Sequence, residues 1–133
     1  MNIRVVLLAF AAASLASAAD ANFGLIGIAG FETARLTAYC DGSVTPTPCD
    51  ITFEFHHISG RMLKQATVTL QPGTGGFLDL RWQETGSPAR RVEISPCWRV
   101  GGGAAVGSLT IVDNFTGLSI AQAYPAALAS GAQ

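Results

Sequence analysis

The sequence predicts an all-β protein, built as an antiparallel β-sandwich of about seven to eight strands. Three observations carry this. Apolar and polar residues alternate with period two through most of the chain beyond its leader. Clusters of Gly, Pro, Asn, Asp and Ser punctuate these runs at short intervals. No stretch carries the 3.6-residue period of an amphipathic helix. Period two places successive side chains on opposite faces of a sheet, and frequent turn signals fold short strands back on one another. A small β-barrel is the alternative, because alternation alone does not say whether a sheet closes on itself.

The opening residues, MNIRVVLLAFAAASLASAAD, read as a leader. Arg4 supplies a positive n-region, Val5 to Ala13 an apolar run, and Ala16-Ser17-Ala18 a small-x-small cleavage site. Residues 1–18 are therefore expected to form a secretory signal peptide, with an apolar run too short to span a membrane. Residues 19–124 form one domain, and residues 125–133, poor in large apolar side chains, a flexible tail. The mature chain loses one of eight basic residues and keeps nine acidic ones, a charge of about −2. There is no basic stripe and no second apolar run of spanning length. These features exclude nucleic acid as a partner and a transmembrane segment in the mature protein. The expected location is secreted or periplasmic.

The strands follow in order. FGLIGIA leads. In TARLTAYC, Ala34, Leu36, Ala38 and Cys40 share one face. In CDITFEFH, Cys49, Ile51, Phe53 and Phe55 oppose Asp50, Thr52, Glu54 and His56. ISGR turns the chain into MLKQATVTL, where Ala66, Val68 and Leu70 oppose Gln65, Thr67 and Thr69. QPGTGG supplies the fixed and positive φ values of a loop. FLDLRW, RVEIS up to Pro96, SLTIVD and LSIAQA complete eight strands. ETGSPAR and GGGAAVG read as connections, and NFTG as a turn.

Together ETARLTAYC, CDITFEFHHISGRMLKQATVTLQPGTGGFLDLR, RRVEIS and SLTIVDNFTG resemble a group of secreted bacterial β-sandwich proteins with immunoglobulin-like architecture. The resemblance covers roughly residues 30–120. It implies an immunoglobulin-like sandwich and an exported location, and it transfers no active site.

The three cysteines are Cys40, Cys49 and Cys97. An oxidising compartment makes a disulfide the default. Alternation turns Cys40 and Cys49 inward, whereas Cys97 shares the outward parity of Glu93 and Ser95. A Cys40–Cys49 bridge is therefore expected, with Cys97 free or intermolecular. Neither C-x-x-C nor a paired His motif occurs, so no metal and no cofactor is expected.

His56 and His57 are adjacent on a strand and point to opposite faces. Glu54 and His56 share a face and could begin a metal or acid–base site, but the third group such a site needs is not identified by the sequence. The favoured reading is a polar outer face. Enzyme templates are missing: there is no G-x-S-x-G and no H-E-x-x-H. Asp79 and Glu84 form a glycosidase pair only if folding brings them face to face. Trp82, Trp98, Tyr39 and Tyr124 offer a sugar platform only if they are exposed together, and packing explains the tryptophans more simply. The sequon at Asn114 coincides with a turn.

The expected function is a non-enzymatic binding or structural module whose partner is a protein or glycan of the cell envelope. Its contact surface is expected in the loops around Gly42–Pro48 and Gly101–Gly107, at one end of the sandwich. A small secreted metal-binding protein or hydrolase using Glu54 and His56 is the alternative. It is favoured if three or more His, Asp, Glu or Cys side chains converge. A subunit of a surface assembly is a third reading, marked by an apolar edge strand such as Phe23 to Ala29.

Overall fold

The computed structural model describes Asp20–Pro125. The expected leader lies outside the described residues, as does the expected tail beyond Pro125. Nine strands are present among the described residues: β1 (Ala21–Asn22), β2 (Ile26–Ala29), β3 (Glu32–Cys40), β4 (Cys49–His57), β5 (Met62–Leu70), β6 (Gly75–Arg81), β7 (Arg91–Val100), β8 (Ala105–Asp113) and β9 (Ser119–Ala123). A single 3-10 turn, Trp82–Thr85, follows β6. The first sheet runs β5-β4-β7, with β1 and β2 one after the other along the far edge of β7. The second runs β6-β3-β8-β9. All pairings are antiparallel, and neither sheet closes into a barrel.

The alternating pattern explains why two sheets form. Ile51, Phe53 and Phe55 of β4 and Ile94 and Trp98 of β7 are buried from the first sheet. Leu36 and Ala38 of β3, Leu80 of β6, and Leu109 and Ile111 of β8 are buried from the second. These side chains belong to one core, and each large one contributes roughly 1.5–3 kcal/mol on removal from water.

Two strands run further than their sequence suggests. β7 continues through Pro96 to Val100. Phe23 N–H donates to the Pro96 carbonyl at 3.1 Å, so that carbonyl faces the β1–β2 edge. A residue's N–H and C=O leave a strand on the same side, so the donor that proline lacks also faces this edge. The edge is broken there, between Asn22 and Ile26, and the ladder to β4 needs no N–H from Pro96. β8 begins at Ala105 instead of Ser108. Gly107 lies inside it because the backbones of β3 and β8 approach so closely that a Cβ would meet the Thr37 carbonyl.

Cys40 and Cys49 form a disulfide with Cα atoms 5.7 Å apart. Cys40 ends β3 in the second sheet and Cys49 opens β4 in the first, so the bridge ties the sheets together at the β3–β4 crossover. The disulfide, together with the lack of a long apolar membrane-crossing helix among the described residues, is compatible with an extracellular or periplasmic protein.

Candidate metal centre on the outer face of the first sheet

Glu54 and His56 are i and i+2 on β4, so both project from its outer face. β4 lies between β5 and β7, and register places Cys97 of β7 and Gln65 of β5 directly opposite Glu54. Cys97 keeps the outward parity of Glu93 and Ser95. Three strands thus bring Glu54, His56, Gln65 and Cys97 into one patch, with Arg99 two residues beyond Cys97.

Glu54 is the hub. Its side chain is only 4% exposed although it projects from the outer face. Oε2 accepts from the His56 Nε2–H at 2.9 Å and from the Cys97 thiol at 3.6 Å. Arg99 Nη2 lies 3.5 Å from the same oxygen. Oε1 accepts from Gln65 Nε2 at 3.3 Å. A covered carboxylate needs this density of donors to stay ionised. The His56 hydrogen bond holds its pKa below the usual carboxylate range against the opposing effect of burial, and Arg99 and the Cys97 thiol add to the lowering. Burial, reinforced by the Glu54 charge, pushes the Cys97 thiol up to about 11.

This electrostatic arrangement decides what the cluster can do. A protonated thiol that donates to a carboxylate is a poor nucleophile. The imidazole is bonded to Glu54, not to sulfur, so the geometry is not that of a thiol activated by a base. The donor atoms of Glu54, His56 and Cys97 all lie within 4.8 Å of one another. In a tetrahedral zinc site, ligand bonds of about 2.0 Å to N and O and about 2.3 Å to S separate those atoms by about 3.3–3.5 Å. Two edges of the cluster, at 2.9 and 3.6 Å, are near these values. Small side-chain rotations would close the third. Two ligands at i and i+2 on one strand and a third directly across on its neighbour form a tripod that pleated backbone supplies without a loop.

The other candidates are kept apart or already engaged. Asp79 forms a two-pronged ion pair with Arg35 at 2.7 and 2.8 Å. Glu84 accepts from Lys64 and from the Arg81 N–H, each at 2.7 Å. His57 turns to Ser59. Trp98 is buried in the core, Trp82 Nε1 donates to the Ala89 carbonyl, Tyr39 lies near the end of β3 and Tyr124 just past β9, so no shared aromatic platform forms. Asn114 accepts from Thr33 Oγ1 at 2.8 Å in a turn that Asp113 holds through the Phe115 and Thr116 N–H groups.

The loops after β3 and β7 do meet at one end, where Asp41 N–H donates to the Ala104 carbonyl at 2.8 Å. An exposed apolar cluster lies elsewhere. At the opposite end Phe31, held at φ 69°, packs against Phe115 with ring centroids 4.6 Å apart and planes tilted by 41°, and Leu118 is exposed nearby in the chain. Sequence reasoning missed this end because positive φ at a phenylalanine has no sequence signature. Compared with protein-family models, curated proteins and solved structures, the chain matches none.

Proposed function

We propose that the chain is an exported, non-enzymatic binding module whose ligand is a divalent transition metal, zinc being the best match, held by Glu54, His56 and Cys97. One observation carries this: three donors of the types that suit zinc converge from two adjacent strands to within 4.8 Å. A polar outer face does not require a carboxylate, an imidazole and a thiol around one point. Metal binding would replace the His56 and Cys97 contacts of Oε2 and displace the thiol proton. Gln65 would keep Oε1 fixed and Oε2 aimed at the ion. An immunoglobulin-like type of sandwich and secretion belong to the same reading. The chain's repeated crossing between sheets supports the first, and the disulfide the second.

The test is metal content. Mature protein loaded with zinc and passed through gel filtration is expected to keep one equivalent. His56→Ala and Cys97→Ser should each lose it without a change in fold. Wild-type protein emerging free of zinc would overturn the reading.

A second reading, a subunit of a surface assembly, is favoured by β9. This edge strand, SIAQA, is uncharged, and all its residues except Ala123 are exposed, Ile120 by 53%. The edge expected to mark such a role, Phe23 to Ala29, is instead broken, partly buried, and crossed at Gly27 by the Arg91 side chain. Open uncharged edges template strand addition. Ile120→Lys converting a concentration-dependent oligomer to monomer would support this reading, and a wild-type monomer at all concentrations would remove it.

A further inference from the structure

Resting on the metal reading, we infer that Arg99 makes the site a receptor for a small oxyanion, a carboxylate or phosphate that bridges the bound metal and the guanidinium. Three protein donors leave a fourth tetrahedral position open. His56 and Cys97 are partly exposed, and the covered Glu54 lies behind them, so the open position faces solvent.

The charge balance then changes. Without metal, Arg99 has the Glu54 carboxylate as its ionic partner among the described residues. With a dication bound, the carboxylate and the thiolate together neutralise the ion, and the guanidinium charge is left over. Its side chain is 62% exposed, its stem is anchored on β7, and its head lies 3.5 Å from the oxygen that would ligate the metal. A metal ion and a guanidinium side by side match two oxygens of one anion, one per cation. A monatomic anion satisfies only one of them. The acidic group on this flank is Asp20, exposed ahead of β1 and near enough to raise the Cys97 pKa.

Cobalt(II) tests this, because its visible and thiolate charge-transfer bands report the coordination shell. Cobalt-loaded mature protein is titrated with inorganic phosphate, acetate and chloride. Phosphate and acetate are expected to shift the visible bands with saturation, and chloride far more weakly. Arg99→Met is expected to keep cobalt and weaken the phosphate response at least about tenfold, as loss of a charge-assisted pair requires. Failure to bind cobalt overturns the metal reading and this inference with it. Cobalt binding with its thiolate band but no oxyanion response overturns this inference alone. So does an equal response in wild type and Arg99→Met, or a response in Asp20→Asn that wild type lacks, which would assign the fourth position to Asp20.

Discussion

Cys97 and Glu54 face each other across β7 and β4, and the thiol donates to the carboxylate oxygen that His56 also occupies. The pairing keeps the sulfur protonated and the carboxylate ionised, so the two charge states are linked through one short contact.

The metal-free protein is therefore expected to lose stability in alkali. The Cys97 thiol titrates at about 11 in the folded chain against its ordinary 9.0. Between these values the unfolded chain has released a proton that the folded chain retains, so stability falls as pH rises through the window and is fully present below it. Thiolate absorbance should rise near pH 11. The difference in melting midpoint between wild type and Cys97→Ser should change between pH 9 and 11 and stay flat from pH 7 to 9. Titration of the thiol at its ordinary value would contradict the hydrogen bond.

Gln65 touches Glu54 and is not one of the three proposed ligands. Gln65→Leu is expected to lower zinc affinity by about tenfold, the lower end of the effect of losing a group that orients a ligand, with stoichiometry still one. Calorimetry measures this, and unchanged affinity would mean that Oε1 needs no anchor.

Cys49→Ser opens the staple at the β3–β4 crossover. A bridge of sequence separation 9 contributes about 2–3 kcal/mol on the chain-entropy account, so the melting midpoint should fall by roughly 10 °C. Cys97→Ser at neutral pH should move it far less. Peptide mapping without reductant checks the pairing directly.

Two glycines with nearly equal φ separate strain from crowding. Gly103 sits at φ 73° where a Cβ would lie 2.7 Å from Cys49 Sγ and 2.9 Å from the Thr47 carbonyl oxygen, whereas Gly117 at φ 70° has nothing within 4 Å. Gly117→Ala should cost about 1–2 kcal/mol, from the left-handed backbone alone. Gly103→Ala should cost about 1–3 kcal/mol more. Equal losses in denaturant unfolding would show that the loop yields freely around the disulfide.

The sequence carries most of the strands because alternation is a local signal. The faces of Cys40, Cys49, Ile51 and Phe53 follow from parity, and the disulfide from parity plus proximity along the chain. Pro96 hid the second half of β7, since proline is compatible with a strand only where the neighbouring edge is interrupted, and that interruption is a tertiary fact. Glycine hid the start of β8 in the same way: Gly107 signals flexibility until the closeness of Thr37 is known. The candidate metal cluster was half legible. Glu54 and His56 are two residues apart, and the outward parity of Cys97 could be read. Their meeting depends on β4 pairing with β7 at the register Glu54 to Cys97, across 43 residues, and no local pattern encodes that register.

The staple at the sheet crossover also has a mechanical meaning. A chain drawn out from beyond its first and last described strands would first lose the marginal edges β1 and β9, each paired along one side. Force would then reach β3 and β4, but the segment between Cys40 and Cys49 lies in a covalent side branch and bears no tension. The fully extended oxidised chain is shorter than the reduced one by about 25 Å, the span of nine residues less the 5.7 Å of the bridge. Of the five connections that pass between the sheets among the described residues, the β3–β4 crossover is thus the one that traction cannot lengthen.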